Sequence, residues 1–234
     1  GSNTTNIGYH SGYYATGSQN TFVGHSAGKG NSSAPYSSGG YNVALGYRAL
    51  KGFTTGDNNI AIGYQAADSL TTADMVIAIG DNALQSLTGG GYGVAIGRQA
   101  MQAETGGNDF VSIGNLSGQY QNKGATAYNT YVGHTAGRYN VVGTSNTYIG
   151  NAAGTSRKGS ANTAVGQGAM ANLTFGHNNV AVGVAAMSYT SGSYNAVVGA
   201  YAGRFATGSY NTFMGYEAGN GATTSAPYSS GTYN

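Results

Sequence analysis

One nine-residue pattern recurs thirteen times along this chain. It reads NTFVGHSAG at 20–28, NVALGYRAL at 42–50 and NIAIGYQAA at 59–67. Positions within each copy are counted from its central glycine, which is position 0. A unit this short cannot bury a core alone, so successive copies must stack on one another. The central glycines are Gly8, Gly24, Gly46, Gly63, Gly80, Gly97, Gly114, Gly133, Gly150, Gly166, Gly183, Gly199 and Gly215.

The spacing within each copy predicts a β-strand. Position −1 is always apolar and position −3 is usually Val, Ile or Thr, and an apolar spacing of two is typical of a strand. We expect both side chains to point into the coil, where stacked copies would form a continuous β-branched core. Two short strands and two turns would complete each coil. The predicted fold is all-β, a parallel β-solenoid of about thirteen coils of 16–17 residues.

Three further positions recur for structural reasons. The central glycine is expected to have a positive φ or to lie very close to another backbone segment, and the Ala or Ser at position +3 to pack where nothing larger fits. Asn occupies position −4 in nine copies, for example Asn20 and Asn146. Asn tolerates turn conformations, and stacked Asn side chains can hydrogen-bond to one another, so these residues are predicted to form a structural ladder.

A longer period lies above the coil. The segment TGSQNTFVGHSAG at 16–28 returns as TGSYNTFMGYEAG at 207–219, and SAPYSSGGYN at 33–42 returns as SAPYSSGTYN at 225–234. Residues 1–234 are expected to be a single repetitive solenoid, in which 20–210 approximates one eleven-coil unit that restarts at 211–234. We expect the chain to be cut from a longer fibre, with Gly1 and Ser2 left by cloning.

The composition offers little chemistry. Charged residues make up 7% of the chain, against about a quarter in an average domain, and cysteine is absent. The seven carboxylates are expected to occupy different repeat positions, and His25 and His134 to lie in an exposed turn, with His10 and His177 elsewhere in the repeat. No glycine cluster precedes the Lys-Ser or Lys-Thr pair of a nucleotide site. We expect no enzyme activity, no metal and no cofactor. Without a basic patch or a long apolar run, we also expect no nucleic-acid partner and no membrane insertion by this segment.

Tyrosine is the remaining candidate for function, with twenty copies. A tyrosine ring can stack on a sugar, and loops on a rigid scaffold commonly carry binding residues. Mutual stacking that covers the solenoid wall is the favoured interpretation for most of them. The candidate surface contacts are Tyr36, Tyr41, Tyr47, Tyr64, Tyr216 and Tyr228, of which Tyr36 and Tyr228 lie in the two SAPYSSG loops.

The strand segments NNIAIGYQAA, NVALGYRAL and VIAIGDNAL resemble the head repeats of trimeric autotransporter adhesins of the YadA type, and similar repeats occur in phage tail fibres. The resemblance covers essentially the whole chain. It implies a left-handed parallel β-roll that assembles with itself as a homotrimer. It also implies an extracellular place on a cell or virion surface, and attachment to a glycan or protein of a host cell.

Other functions remain open. Thr21, Thr130, Thr147, Thr163 and Thr212 share position −3, so a regular threonine face could bind ice. The chain could also be a filament shaft without any ligand. A polysaccharide-degrading spike would need paired carboxylates on one face, which the expected register does not supply.

Overall fold

The chain folds into short parallel strands, one in each repeat. The computed structural model describes residues 1–33, 36–122, 127–155, 159–172 and 175–221. The residues within these ranges form thirteen strands and no helix. Each strand begins at position −3 or earlier and ends just before the central glycine. They are β1 (Thr5–Ile7), β2 (Thr21–Val23), β3 (Val43–Leu45), β4 (Ile60–Ile62), β5 (Ile77–Ile79), β6 (Gly91–Ile96), β7 (Asn108–Ile113), β8 (Thr130–Val132), β9 (Thr147–Ile149), β10 (Thr163–Val165), β11 (Val180–Val182), β12 (Ala196–Val198) and β13 (Thr212–Met214).

The strands belong to two compact units, Gly1–Ala127 and Tyr128–Asn234. In the first unit β1 to β7 pair in parallel in chain order, and in the second unit β8 to β13 do the same. The register keeps the repeat frame, so that Ala44 stands opposite Ala61 and Tyr131 opposite Tyr148. Each unit is therefore a parallel β-solenoid, as predicted. A coil is numbered below by the strand that it contains.

The expected β-branched core is wrong, because the strands face the other way. In β3 the middle residue Ala44 is fully buried, whereas Val43 and Leu45 are 36% and 46% exposed. The same pattern, with position −2 inside and positions −3 and −1 outside, holds in β2 through β12. A spacing of two shows which side chains share a face but not which face is internal.

Next to position −2, the interior is instead filled by one large side chain that comes from either of two places, and coils 3 to 8 bury a further side chain at position +7. Where position −2 is large, position +4 is glycine, as in Phe22 with Gly28 and Tyr131 with Gly137. A β-carbon on Gly137 would come within 2.5 Å of the Tyr131 ring. Where position −2 is Ala, position +4 is usually large and buried. Pairs of the second kind are Ala44 with Leu50, Ala78 with Leu84, Ala95 with Met101, Ala164 with Met170 and Ala181 with Met187.

Coils 4 and 7 carry small residues at both places and fill the space from a third. Ala61 and Ala67 are both small, and the buried side chain there is Leu70 at position +7. Ser112 and Gly118 face a buried Gln121, also at +7, and Ser112 hydrogen-bonds Ser117 at 2.9 Å. Coils 2 to 12 thus all bury the position −2 side chain, although the large side chain beside it comes from different positions.

The far side of the coil is not the second strand that was predicted. Positions +2 and +4 have positive φ in all thirteen coils, for example Arg48 at 57° and Leu50 at 53°. The Ala49 amide donates to the Gly46 carbonyl and the Lys51 amide to the Arg48 carbonyl, so this side is a run of consecutive β-turns. Neighbouring coils still pair here, since the Leu50 amide donates to the Ala66 carbonyl at 2.9 Å.

The central glycines combine both properties expected of them. Their φ values lie between 124° and 139°, a region that side-chain-bearing residues avoid. They also stack closely from coil to coil, because a β-carbon on Gly46 would lie 2.6 Å from the Gly63 carbonyl oxygen.

The predicted asparagine ladder is confirmed. Asn146 is fully buried, its Oδ1 accepts from the Asn162 amide at 3.0 Å, and its Nδ2 donates to the Gly159 carbonyl at 2.8 Å. The same two bonds recur from Asn20 to Asn59 and from Asn129 to Asn195. In coils 6 and 7 position −4 is Gly93 or Phe110, and there the strand lengthens to six residues. Coil 5 has Val76 at this position and keeps a three-residue strand, so asparagine joins the coils but does not by itself set the strand length.

Candidate functional site

The most extensive surface feature is the outside of the strands, which we call the outer apolar face. It consists of the side chains at positions −3 and −1 of β1–β7 in the first unit and of β8–β13 in the second. None of these residues is charged. In coils 3 to 7 they are Val, Ile or Leu only, and all are half-buried or exposed. These ten residues are Val43, Leu45, Ile60, Ile62, Ile77, Ile79, Val94, Ile96, Val111 and Ile113.

The threonine column lies on this same outer face. Thr130, Thr147 and Thr163 stand in three consecutive coils of the second unit, each next to a Val or Ile at position −1. In the first unit Thr21 is joined by Thr5, which begins β1 and which the sequence analysis did not include. The threonine hydroxyls are thus presented outward, within an otherwise aliphatic surface.

An exposed aromatic column lines position +1 of the first four coils. The ring centroids are 5.2 Å apart for Tyr9 and His25, 5.4 Å for His25 and Tyr47, and 5.3 Å for Tyr47 and Tyr64. The three tyrosines are between 42% and 66% exposed. Tyr9 and His25 were not among the candidate contacts, although their shared position +1 was a signal that could have identified them. The column combines mutual stacking with a solvent-facing surface.

The remaining candidate tyrosines are not gathered into one place. Tyr36 is 50% exposed and its ring is parallel to that of Tyr14, with centroids 6.2 Å apart. Tyr41 is 60% exposed at position −5, where it has a φ of 57°. Tyr216 belongs to the second unit and is 72% exposed. A hydrogen bond with Glu217 raises the pKa of Tyr216 above its ordinary value. Tyr228 lies outside the described residues.

Two carboxylates share a repeat position, contrary to expectation. Asp57 and Asp74 both occupy position −6 in adjacent coils. The Asp57 carboxylate accepts from the Gly40 amide at 2.6 Å, and the Asp74 carboxylate accepts from the Asp57 amide at 2.7 Å. Ser18, Ser160, His177 and Ser209 make the equivalent bond in other coils. Position −6 is therefore a second polar ladder, in which the two aspartates bind backbone amides.

Other charged groups are sparse. Among the described residues the one ion pair joins Arg48 and Asp68, with Nη2 and Oδ2 2.9 Å apart. The hydrogen bond to Asp68 raises the pKa of Arg48. The described part of the chain holds no group of three or more His, Asp or Glu side chains placed to bind a metal ion. It also has no helix with the length and apolar character needed to cross a membrane.

Comparisons of this chain with protein-family models, with curated proteins and with solved structures found no match.

Proposed function

We propose that this chain is a structural and adhesive segment of an extracellular or virion fibre, such as an adhesin head or a phage tail fibre. In this proposal three copies assemble as a homotrimer of left-handed β-rolls, the arrangement of the YadA-type head repeats that the sequence resembles. The fibre attaches to a glycan or protein of a host cell surface. The single observation that carries the proposal is the outer apolar face.

The outer apolar face supports self-association because none of the described residues covers it in either unit. Large contiguous apolar patches are uncommon on monomeric proteins and usually mark an interface. Five consecutive coils of aliphatic pairs in the first unit, at about 4.8 Å per coil, make a stripe roughly 20 Å long. The stripe is bordered at positions −5 and +1 by residues such as Tyr41 and Tyr47. This arrangement resembles an interface with an apolar core and an amphipathic rim.

The burial of the aromatic residues at position −2 makes it geometrically simpler for three outer apolar faces to pack together. Phe22, Tyr131 and Tyr148 point into their own coils and are fully buried. Aromatic coils and alanine coils therefore present the same kind of small aliphatic or threonine side chain outward. Three such faces could approach a common axis at an even distance, because no bulky ring interrupts them.

The mass of the chain in solution tests the assembly directly. We expect light scattering to give three times the 23.5 kDa mass of one chain. A monomeric mass at micromolar concentration would overturn the homotrimer.

Charges placed on the outer apolar face should abolish the assembly. The double variant Ile62→Glu/Ile79→Glu introduces two carboxylates into adjacent rows of the face and is expected to be a folded monomer. The matched control is Ser69→Glu/Ser86→Glu, which adds the same charges to the same two coils at position +6 and should leave the mass unchanged. Circular dichroism shows whether each variant is folded. A face variant that keeps the wild-type mass would exclude this face as the interface.

Attachment is tested with the fluorescently labelled chain on a panel of bacterial and animal cells, measured by flow cytometry. Binding above that of the monomeric face variant supports an adhesive role. A trimer that binds no member of the panel would favour the filament shaft without a ligand.

Ice binding is a second candidate because the threonine column lies on the outside of the strands. Thr130, Thr147 and Thr163 present their side chains in line. A thermal hysteresis assay on the wild-type chain and on Thr147→Leu distinguishes the candidates. The fibre proposal predicts no ice shaping by either protein, whereas activity that the substitution removes would favour ice binding.

A further inference from the structure

A polar cleft of about 320 Å³ lies in the first unit, beside the connection between β2 and β3. Its walls include Tyr14 of coil 1, Lys29 and Asn31 of coil 2, and Lys51 of coil 3. This volume is at the lower end of the range for small-molecule sites, roughly 300–1,000 Å³. The connection is also where the repeat is interrupted, since Gly24 and Gly46 are 22 residues apart instead of sixteen or seventeen.

The cleft exists because two consecutive coils lack a side chain at position +6. Gly30 and Gly52 occupy this position between Tyr14 on one side and Ser69 on the other. Neither glycine can be replaced without cost. A β-carbon on Gly30 would lie 2.9 Å from the Ser37 β-carbon, and one on Gly52 would lie 2.8 Å from the Asp68 carbonyl oxygen. The recess is thus part of the backbone arrangement.

Two lysines at the cleft have no anionic partner. Lys29 and Lys51 occupy position +5 of adjacent coils, which the Gly30 amide joins by donating to the Lys51 carbonyl at 3.0 Å. Within the described residues neither lysine forms an ion pair. Asp68, the residue at position +5 of the next coil, is already bound to Arg48 by two hydrogen bonds of 3.1 and 2.9 Å. Two like charges held side by side favour an anion between them.

Tyr14 separates this cleft from a second hollow of about 330 Å³, which Tyr13 and Tyr36 also line. The Lys29 ammonium lies 5.7 Å from the centre of the Tyr14 ring. The Tyr14 and Tyr36 rings are parallel to within 4°. Partly exposed tyrosine rings offer stacking surface to the apolar face of a sugar.

Ser37 holds the base of this loop in place. Its buried hydroxyl accepts from the Asn31 amide at 2.8 Å and donates to the Phe53 carbonyl at 2.5 Å. Its carbonyl accepts from the Thr16 hydroxyl at 3.1 Å. A site fixed in this way loses little conformational entropy when a ligand binds.

We propose that these two hollows form one binding site for an acidic saccharide. The carboxylate or sulfate of the sugar lies between Lys29 and Lys51, and an adjoining sugar ring stacks on Tyr14 or Tyr36. The inference rests on the proposed attachment function and names the ligand class of one of its surfaces. Nucleic acid is the less suitable ligand because affinity for its backbone grows with the number of phosphates neutralised, and only two cations line this site.

The test is calorimetric titration of the full chain with three trisaccharides and one oligonucleotide. The trisaccharides are tri-galacturonic acid, a sulfated galactose trisaccharide and the neutral galactose trisaccharide, and the oligonucleotide is decathymidylate. We expect one or both acidic sugars to bind at least tenfold more tightly than the neutral sugar, with affinity that falls as salt is added. The carboxylated and sulfated probes identify which anion fits. Equal affinity for all three sugars, or binding of the oligonucleotide alone, would overturn the inference.

Substitutions in and away from the cleft test whether the acidic sugar binds there. Lys29→Gln/Lys51→Gln should lower the affinity for the acidic sugar at least tenfold and remove its salt dependence. Tyr14→Ala should lower the affinity for the same sugar. The control Arg98→Gln removes an exposed cation at position +1 of another coil of the unit and should change affinity less than twofold. An acidic sugar that binds all variants equally well would place its site elsewhere and refute the proposal.

Failure of this inference and failure of the proposed function give different results. If no acidic sugar binds while the chain is trimeric and attaches to cells, only the saccharide site is wrong. If the chain is monomeric and attaches to no cell but still binds the acidic sugar through Lys29 and Lys51, the fibre proposal is wrong and the site stands.

Discussion

The ring of Phe22 lies directly over Gly28, so that a β-carbon on Gly28 would overlap the ring. One coil further along, the corresponding residues are Ala44 and Leu50, with the large side chain on the opposite member of the pair. Gly28 and Leu50 have the same φ of 53°. The two coils therefore enclose similar volumes on similar backbones by exchanging which residue is large.

Exchange of this pair should be tolerated although each single change is not. Phe22→Ala leaves a cavity and should cost about 3–4 kcal/mol of unfolding free energy. Gly28→Leu places a side chain against the Phe22 ring and should cost a similar amount by overpacking, about 2–3 kcal/mol.

The double variant Phe22→Ala/Gly28→Leu gives coil 2 the pair that coil 3 has. We expect it to be more stable than either single variant, with a coupling free energy of about 2 kcal/mol or more in urea unfolding. The double variant will not regain the full wild-type unfolding free energy, because the Phe22 ring also contacts Phe53, with centroids 5.5 Å apart. Additive losses in the double variant would contradict the volume exchange.

Glycine is required at position 0 but not at position +2. Gly183 has a φ of 136°, and its β-carbon would lie 2.5 Å from the Gly199 carbonyl oxygen. Gly183→Ala should therefore destabilise the second unit by about 3 kcal/mol or more.

The control substitution, Ala185→Gly, is two residues away, where Ala already has a φ of 53°. Replacing Ala185 by glycine removes the strain of a left-handed alanine, which stabilises the fold by about 1 kcal/mol. It also increases the conformational entropy lost on folding, which destabilises the fold by about 0.5–1 kcal/mol. We expect a change within about 1 kcal/mol in the same urea titration. Equal losses of unfolding free energy for both variants would contradict the claim that glycine is required at position 0 but not at position +2.

Removal of one asparagine from the ladder should break two buried hydrogen bonds. Asn146→Ala leaves the Asn162 amide and the Gly159 carbonyl without their partner, at a cost of about 2–4 kcal/mol in total. The control is Asn151→Ala, an exposed asparagine that bonds His134 at 3.1 Å, and it should cost less than about 0.5 kcal/mol. Hydrogen exchange of the Asn162 amide, faster in Asn146→Ala alone, would locate the effect.

Glu104 is expected to act as a structural acceptor. It is fully buried, and its Oε1 accepts from the amides of Thr105, Gly106 and Gly107 at 3.0, 3.2 and 2.9 Å. Glu104→Ala should cost about 3–5 kcal/mol because one buried and two part-buried amides lose their acceptor. Glu104→Gln retains an acceptor oxygen and should cost markedly less.

The exposed Glu217 supplies the comparison for Glu104. Glu217→Ala removes the same charge and should change the unfolding free energy by less than about 0.5 kcal/mol. If Glu104→Ala were equally mild, the amides of 105–107 would have found other acceptors, and the structural role of the carboxylate would be disproved.

Several local expectations failed because tertiary context supplied what the residue pattern did not contain. Nothing in Arg48 or Leu50 indicates a positive φ, and hydrogen bonds to the adjacent coils hold them in it. The expectation that Asp57 and Asp74 occupy different positions is also wrong, but here the sequence already held the answer, because counting from Gly63 and Gly80 places both at −6. The cleft at Lys29 and Lys51 was not predicted, since it arises from the absence of side chains at Gly30 and Gly52.

Regular spacing along the chain predicts the repeat, its strand, the register of parallel pairing and the asparagine ladder, because a single sequence displays that spacing in full. Which side of the strand is internal follows from the folded coil, because Val-Ala-Leu at 43–45 alternates equally well with either face inward. The deciding quantity is volume, because the fully buried Leu50 and Phe53 already occupy the interior of coil 3. Ala44 therefore points inward, and the side chains of Val43 and Leu45 lie outside.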